Sequence, residues 1–348
     1  VISKVMQRQN TSSGQLQFSG WEAAQEYHFE HGLTDGLPIV PPTPERVNAM
    51  LDYVGLSADT VISSEITRKK SFTAEKVAIN AVLAGCIPEY FPVVVAAIEA
   101  VCDREFNFHA SSTSTNGITT MVVVSGPYSD RVEMNSGAVL MGNGNRANAT
   151  IGRAVNLVKT NFYGSIPQDM DKSTFGHPGK FSFCFAEDLQ ASAWPSLAEF
   201  KGFDSISSTV TIFAANAPLQ ISIYGDKNPK TFLTATAHGM IGLGPLMSEV
   251  TVVISPELMT YLDEADWTRE QVQEFLFDKT RRPAREWIEW ERIDHPESIG
   301  DLDQLLGCVS EPGRITVVPG GGAAGAFIDI ISSWGSSRSV TKEIKVRR

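Results

Sequence analysis

Hydrophobic residues along this chain form short, nearly continuous runs that end at glycine, proline or polar clusters. The run at residues 119–125 (Thr-Thr-Met-Val-Val-Val-Ser) stops at Gly126-Pro127 and shows no polar alternation. A strand that is buried on both faces has this pattern, whereas a half-buried strand alternates apolar and polar positions. Similar runs predict further strands at residues 208–214, 220–224, 249–254 and 314–319.

Amphipathic segments between these runs predict helices. In one of them, Pro44 takes the first helical position and Glu45 lies in the first turn, as is typical of a helix start. The predicted helices are residues 21–30, 44–54, 73–83, 92–103, 152–159, 256–263, 268–279 and 284–290. Because buried strands alternate with helices, we predict an α/β fold with a mixed sheet of buried strands and flanking helices.

Two segments of the chain resemble each other. Residues 116–127 and residues 244–256 each contain a polar turn, a valine-rich strand and a terminating proline. Two interpretations stay open: an internal repeat that makes two similar subdomains, or the common appearance of any two buried strands.

The predicted domain organisation has three parts. Residues 1–20 are polar and predict a flexible N-terminal tail, and residues 21–200 predict an α/β region that contains a glycine- and asparagine-rich anion site. Residues 201–348 predict a second α/β region. Its last stretch, residues 336–348, is basic and predicts an extended tail that is suited to docking on another chain.

Charge and hydropathy narrow the classes of partner. The chain has 348 residues, with 29 Lys+Arg against 40 Asp+Glu and a net charge of −11. Nucleic-acid binding needs a basic face, so nucleic acid is excluded as the main partner. The longest apolar stretch, residues 77–101, is interrupted by Pro88 and Pro92, which indicates two buried helices rather than a membrane span.

The cysteines and the N-terminus indicate the cellular compartment in which the protein is expected. The four cysteines form neither a CxxC pair nor a zinc-ligand pattern. They predict reduced thiols in a cytoplasmic protein, and the polar N-terminus lacks the apolar segment of a signal peptide. The cysteines are Cys86, Cys102, Cys184 and Cys308.

No metal or cofactor is predicted. His28 and His31 are three residues apart, a spacing that can present two imidazoles to a metal, but Gly32 ends the helix and no third ligand is evident. The glycine-rich segments match neither a phosphate-binding Walker loop nor a dinucleotide fingerprint.

The strongest candidate site is residues 141–154 (Met-Gly-Asn-Gly-Asn-Arg-Ala-Asn-Ala-Thr-Ile-Gly-Arg-Ala). Glycines allow close approach of the backbone, and free N–H groups in a first helical turn favour a carboxylate or phosphate. The alternative is a well-capped polar turn. The predicted binding residues are Asn143, Asn145, Arg146, Asn148 and Arg153.

Two polar loops supply candidate acid–base groups. The loop at residues 108–117 places His109 among hydroxyl and amide side chains, of which Ser111, Ser114 and Asn116 are predicted to bind substrate. The alternative is a Ser/Thr-rich turn before a strand.

The loop at residues 169–180 holds His177 between Gly176 and Pro178, with Lys180 as a predicted anion-binding residue. Long polar loops often carry function, although an ordered surface loop would look the same.

Two further residues are candidates with plain structural alternatives. His238 lies in a glycine-rich stretch, residues 234–245, where it is predicted to contact substrate or to be a satisfied core residue. Cys86 would be nucleophilic if it lay at a helix start, and inert if it were buried as a small apolar residue.

The segments that carry a family resemblance are residues 32–43, 84–90, 142–154 and 175–180. Together they resemble, over most of the chain, a bacterial family of long components of two-component systems whose short component belongs to the UGSC-motif (selenocysteine or cysteine) family. The resemblance implies a short partner polypeptide that carries a reactive thiol or selenol. This chain has no Cys-Gly-Ser-Cys of its own, so such a nucleophile would come from the partner.

Three functional hypotheses follow. The first is a subunit of a cofactor-independent enzyme that acts on a small carboxylate-bearing substrate by proton transfer, as a lyase, hydratase or isomerase, with His109 or His177 moving the proton. The second is a non-catalytic scaffold for the thiol- or selenol-bearing partner. The third is a thiol-dependent redox or transfer enzyme that uses Cys86.

Overall fold

Two four-stranded sheets lie at the centre of the molecule. The computed structural model describes residues 12–225 and 227–346. The strands in the sheets, together with two short hairpin-like pairs, are β1 (Val61–Glu65), β2 (Lys70–Thr73), β3 (Thr119–Ser125), β4 (Cys184–Ala186), β5 (Thr209–Ala215), β6 (Leu219–Ser222), β7 (Val250–Ile254), β8 (Arg282–Pro283), β9 (Leu305–Leu306), β10 (Ile315–Pro319), β11 (Phe327–Ser332) and β12 (Val340–Glu343).

Helices cover the outer faces of the sheets. They are α1 (Trp21–Glu30), α2 (Pro44–Val54), α3 (Ala74–Ala84), α4 (Phe91–Val101), α5 (Phe108–Thr113), α6 (Tyr128–Arg131), α7 (Arg146–Leu157), α8 (Leu197–Phe200), α9 (Pro229–Ile241), α10 (Pro256–Glu264), α11 (Arg269–Thr280) and α12 (Ala284–Glu289). None of the helices in the described part of the chain has the length and apolarity that a membrane crossing requires.

The two sheets have the same topology. In the first, β3 pairs in parallel with β4 and antiparallel with β5, and β5 pairs antiparallel with β12. In the second, β7 pairs in parallel with β10 and antiparallel with β11, and β11 pairs antiparallel with β6. Residues 116–127 and 244–256, which resemble each other in sequence, therefore contain topologically equivalent strands, β3 and β7.

Each half of the molecule gives its fourth strand to the other half. After β5 the chain crosses to the second sheet as β6, and after β11 it crosses back to the first sheet as β12. At the crossing, the amide of Asn216 donates to the carbonyl of Ser332 at 2.9 Å, and the amide of Trp334 donates to the carbonyl of Ala214 at 2.9 Å. The two halves are thus connected by exchanged strands as well as by packing.

The layers follow the order helix, sheet, sheet, helix. Met121 and Val123 of β3 face the second sheet, where they share a cluster with Val253 and other inward side chains. Val122 and Val124 face the other way, into a core formed with α3, α4 and α7. Since successive side chains of a strand point to opposite faces, both faces are apolar and the strand has no polar alternation. The predicted α/β fold with buried strands and flanking helices is confirmed.

Several local predictions need correction. Residues 108–113, expected to be a loop, form the helix α5, and the glycine-rich stretch around His238, for which no element was predicted, belongs to the helix α9. The helix predicted from residue 152 starts earlier, at Arg146, because Asn145 caps it. The composition of residues 108–113 suggested a loop, but Ser, Thr and Gly are tolerated in helices that pack against a sheet.

The predicted boundary near residue 200 does not separate the two sheets, since β5 and β12 lie beyond it and complete the first sheet.

The basic tail, expected to dock on another chain, docks on this chain: β12 pairs with β5, and Lys342 Nζ lies 2.8 Å from Asp103 Oδ2. Of the expected N-terminal tail, residues 1–11 lie outside the described residues, whereas Ser12 and Ser13 donate to the carboxylate of Glu75.

A buried ion pair joins the two halves. Glu187 follows β4 and accepts hydrogen bonds from the Ser125 hydroxyl and the Leu197 amide. Arg269, the first residue of α11 in the other half, places Nη2 3.1 Å from Glu187 Oε1, and the side chains of the pair are only 3% and 2% exposed. The guanidinium also packs between the rings of Trp194 and Phe200.

Arg269→Met should lower the free energy of unfolding by about 3–5 kcal/mol, because it leaves the Glu187 carboxylate buried without its counter-charge. Urea denaturation followed by circular dichroism measures this loss. Arg285→Met is the matched control: its pair with Asp303 is more than half exposed, with side chains 60% and 71% accessible, and should cost less than about 1 kcal/mol. Equal losses in the two variants would contradict the role of the Arg269 pair.

Candidate functional site

A small cavity lined by several polar and charged residues lies between the end of α7, the start of β3 and the loop that follows α7. Its volume is about 200 Å³. A cavity of this size holds a molecule of a few heavy atoms, since drug-sized ligands need about 300–1,000 Å³. The residues that line it are Thr34, Asp35, Thr119, Asn156, Lys159, Thr160, Ser165, Pro167, Asp171, Lys180 and Phe181.

Lys159 is one of the residues that line this cavity. It belongs to a π-helical segment, Val158–Tyr163, that continues α7, and single π-helical turns inside α-helices are frequent at functional sites. The residue is only 7% exposed, and its Nζ atom makes no hydrogen bond to any residue that the structure describes. The pKa of Lys159 is lowered to about 8, mainly because the residue is buried; the nearby charge of Lys180 contributes to the lowering, and that of Asp171 opposes it.

Two ion pairs stand in the walls of the cavity. Lys180 Nζ lies 2.6 Å from Asp171 Oδ2. Arg153 contacts Asp35 through two hydrogen bonds, of 2.7 Å from Nε and 2.8 Å from Nη2. Each pair is balanced in charge. The ammonium of Lys159 is therefore the charge at this site that lacks a counter-charge of its own.

The carboxylate of Asp171 is held ionised. Burial alone would raise its pKa, but hydrogen bonds from Lys180 and Ser173 outweigh burial, and the pKa lies below its usual value. Ser173 Oγ donates to Asp171 Oδ1 at 2.5 Å, and its backbone amide donates to the same oxygen at 3.1 Å. The loop thus orients Asp171 toward Lys180.

Neutral polar groups complete the lining. The Thr119 hydroxyl donates to Asn156 Oδ1 at 3.2 Å, and Asn156 Nδ2 lies 3.5 Å from the Gly179 carbonyl oxygen. The Ser165 hydroxyl donates to the carbonyl of Ser112 at 2.9 Å. These bonds fix the side chains that surround Lys159, so the cavity has a defined shape.

Of the predicted binding residues, Lys180 lines this cavity and Arg153 supports its wall through Asp35. The other residues of the predicted anion site point elsewhere. Asn145 caps α7 by accepting from the Asn148 amide, and its Nδ2 donates to the Glu133 carbonyl. Arg146 donates to the Gly85 carbonyl through Nε and Nη2.

The α7 N-terminus is surrounded by groups that disfavour an anion. Asn148 is buried and clamps Asn135, accepting from its amide and donating to its carbonyl. Asn143 is exposed and lines a separate, open cavity together with Asp130 and Glu133. The structure therefore favours the alternative weighed from sequence, a well-capped polar turn.

The histidines do not line the Lys159 cavity. His177 accepts from the Gly179 amide at Nδ1, 3.2 Å, and its Nε2 lies 3.4 Å from the Ala215 carbonyl oxygen. Burial lowers the pKa of His177, the Ala215 carbonyl opposes this, and Lys180 adds to it. Both ring nitrogens thus have partners, and the ring is held neutral by its surroundings.

His109 contacts the π-helical segment that contains Lys159. Its Nδ1 lies 3.1 Å from the Tyr163 hydroxyl. Burial, with the nearby carboxylate of Glu65, raises the pKa of Tyr163. His238 is exposed on α9, which packs against the second sheet, and is not brought together with the other candidates.

The predicted hydroxyl and amide ligands near His109 serve local structure. Ser111 is buried and donates to the Phe108 carbonyl at 3.0 Å. Ser114 accepts from the Asn116 amide at 3.0 Å, and the Asn116 carbonyl accepts from Ser173 at 3.1 Å. Ser111 thus belongs to α5, whereas Ser114 and Asn116 form the turn before β3 that the sequence left open as an alternative.

Cys86 follows α3 and is buried against α7. Its thiol donates to the Thr150 carbonyl at 3.3 Å, and burial raises its pKa to about 12. Cys102, Cys184 and Cys308 are buried too, and burial raises the pKa of each. Thiolates are the reactive form of cysteine, so these surroundings favour the inert alternative for Cys86.

Lys159 was missed by the sequence analysis, although the sequence holds a signal for it. Helix α7 buries Ile151 and Val155, and the π-helical segment that continues it buries Val158. Lys159 falls on the same side, four residues after Val155. A lysine that continues the apolar face of a helix must be buried or bend away. Buried lysines are rare, and a shifted pKa makes such a residue a functional candidate.

The described residues contain no group of three or more His, Cys, Asp or Glu side chains placed to hold a metal ion. His28 and His31 each direct Nδ1 to a backbone carbonyl four residues earlier, at 2.7 and 2.8 Å.

No protein-family model matches this chain, and no curated protein matches it.

The buried Lys159 should make stability depend on pH. Between about pH 8 and about pH 10.4, the usual pKa of lysine, the unfolded chain keeps a proton that the folded chain has lost, so folding becomes more favourable as pH rises through this window. Below about pH 8, Lys159 is protonated in both states, and the folded protein carries the full free-energy penalty of burying its charge.

We therefore expect Lys159→Met to be more stable than the natural protein near pH 7, and this advantage to fall by on the order of 3 kcal/mol by about pH 10.4. Urea denaturation at a series of pH values measures the difference. Lys172→Met, at an exposed lysine of the adjoining loop, should show a difference that stays flat with pH. A flat difference for Lys159→Met would contradict the lowered pKa.

Proposed function

We propose that this protein is a cofactor-independent enzyme that moves a proton on a small carboxylate-bearing substrate, as a lyase, hydratase or isomerase does. Lys159 takes the acid–base role that the sequence analysis gave to His109 or His177. The observation that carries the proposal is the buried Lys159 amine, which lines a small cavity and has no hydrogen-bond acceptor among the described residues.

The charge of the site supports an anionic substrate. The pairs Lys180–Asp171 and Arg153–Asp35 are each neutral, so the cavity carries the excess positive charge of Lys159 when that residue is protonated. A substrate carboxylate restores the balance, and it does so in surroundings where water screens the attraction weakly. A cavity of about 200 Å³ limits the substrate to a small acid.

The pKa of Lys159 supports proton transfer. An acid–base catalyst works best when its pKa lies near the working pH, because both forms are then populated. A pKa of about 8 meets this condition, whereas an ordinary lysine stays fully protonated. The ionised carboxylate of Asp171 contacts the ammonium of Lys180 and thereby orients it in the wall of the cavity.

Small carboxylates should raise the melting temperature of the natural protein, because a ligand that binds only the folded state stabilises it by RT ln(1 + [L]/Kd), about 2.7 kcal/mol at a hundred times Kd. Thermal melts with acetate, pyruvate and malate measure the effect. Lys159→Met should lose most of it. Lys172→Met should keep it, since that lysine is exposed and does not line the cavity.

Proton transfer is tested with the same acids in D₂O, where proton NMR follows the replacement of carbon-bound hydrogen by deuterium. We expect exchange in at least one acid with the natural protein and with Lys172→Met, and none with Lys159→Met. If the melting temperature of Lys159→Met responds to carboxylates as the natural protein does, the assigned site is wrong.

A second candidate function is that of a subunit that binds a short partner polypeptide beside this cavity, as the UGSC resemblance implies. Ile166, Phe175 and Phe181, on the loop that borders the cavity, are 46%, 97% and 47% exposed. All four cysteines of the chain are buried, so a reactive thiol or selenol at this site would come from outside the chain.

Phe175→Ser should weaken binding of a short UGSC-type partner by at least about tenfold, because a large exposed aromatic residue at an interface is a common anchor. Native mass spectrometry of the co-expressed pair measures the complex. Ile206→Ser, at an apolar residue that is 80% exposed on another loop, should leave binding unchanged. Absence of any complex with the unmodified chain would remove this second candidate.

A further inference from the structure

Lys159 differs from an ordinary general base because no hydrogen bond to a described residue holds its amine in place. Carboxylates and imidazoles that act only as bases are normally held by a hydrogen bond to a second group, as Asp171 is here by Ser173. Lys159 lines the cavity, and its Nζ atom has no such bond among the described residues. A free amine in a cavity is a nucleophile as well as a base.

The neighbourhood of Lys159 matches what activates a nucleophilic lysine. Such lysines are removed from water or lie beside a second cationic group, and both lower the fraction that is protonated. Lys159 is 7% exposed, and Lys180 lines the same cavity. Lys180 itself is bound to Asp171 at 2.6 Å, so Lys159 is the lysine of the two whose nitrogen is available.

We propose that the substrate of this site is a small oxo acid and that Lys159 forms an imine with its carbonyl carbon. This inference rests on the proposed function and narrows its substrate class. The carboxylate of an oxo acid provides the negative charge that the cavity lacks, and the carbonyl provides the electrophile that a free amine requires.

The step is balanced without an oxidant, a reductant or a metal. The neutral amine attacks the carbonyl carbon, a C–N bond forms, and the electron pair of the C=O double bond moves to oxygen, which takes up a proton while the nitrogen gives one up. The hydroxyl of the resulting carbinolamine takes up one further proton from solvent and leaves as water, while the nitrogen lone pair forms the C=N double bond of a protonated imine. Neither partner changes oxidation state, and one water molecule is released.

The imine connects this step with proton transfer. A protonated imine withdraws electrons from the neighbouring carbon, so its C–H bond becomes more acidic and the proton can leave. The cavity offers Lys180 and Asp171 as groups that can give and take protons at these stages. Burial of the site limits the entry of water, which would otherwise hydrolyse the imine.

The test is reductive trapping. The natural protein is incubated separately with pyruvate, 2-oxobutyrate and acetoacetate in the presence of sodium cyanoborohydride, which reduces an imine to a stable secondary amine. Intact-mass spectrometry counts the adducts, and peptide mapping locates them. We expect one adduct per chain, at Lys159, that forms at least about tenfold faster than adducts at exposed lysines such as Lys172.

Two variants separate this inference from the proposed function. Lys159→Arg keeps a positive charge but cannot form an imine, so it should retain a carboxylate-dependent rise in melting temperature and lose the adduct. Lys172→Met should retain both. Circular dichroism checks that each variant is folded.

The outcomes divide the two ideas. An adduct at Lys159 that disappears in Lys159→Arg supports the imine. Adducts spread evenly over exposed lysines, or no adduct with any of the three acids, overturn the imine. If the natural protein still binds carboxylates through Lys159 in that case, the proposed function stands. If carboxylates have no effect on its melting temperature either, both fail.

Discussion

Face-to-face packing of the two sheets is the constraint on which the rest of the structure depends. Met121 and Val123 of one sheet meet Val253 and Val318 of the other, so the inner face of each sheet is closed. The outer faces carry side chains as apolar as the inner ones and must be covered by helices. With both faces of the central strands buried, polar chemistry is confined to strand ends and loops. The Lys159 cavity lies in such a place, where α7 ends and β3 begins.

Elements that are defined by local interactions could be predicted from the sequence, and elements that depend on distant partners could not. Residues 119–125, 21–30 and 44–54 were assigned with the observed bounds, since their hydrophobic pattern and end signals lie within the segment. The strand β12 (Val-Thr-Lys-Glu) was missed because it lies at the edge of its sheet and is half polar. Its partner, β5, is more than a hundred residues away, and no local pattern indicates that pairing.

The candidate site shows the same division. Lys180 was identified from the density of polar residues in its loop, and it does line the cavity. The place of Lys159 on the apolar side of the helix indicates burial, but its position beside Asp171 and Lys180 is a tertiary effect that no local pattern shows. Arg146 and Arg153 were expected to bind an anion, but Gly85 and Asp35, distant in sequence, already occupy them. A charged side chain in the sequence indicates a binding site only if no other residue of the fold already binds it.

The exchange of strands has a consequence for how the protein is made. A chain leaves the ribosome from its N-terminus, and the first sheet cannot be completed until residues 340–343 have emerged and β12 has paired with β5. Until then the edge of β5 presents unpaired backbone groups, and such edges readily pair with the wrong strand. The N-terminal half therefore has no finished state of its own during synthesis. The two exchanges differ in timing, because β6 emerges before the other strands of the second sheet, whereas the first sheet is completed only after most of the second half has been made.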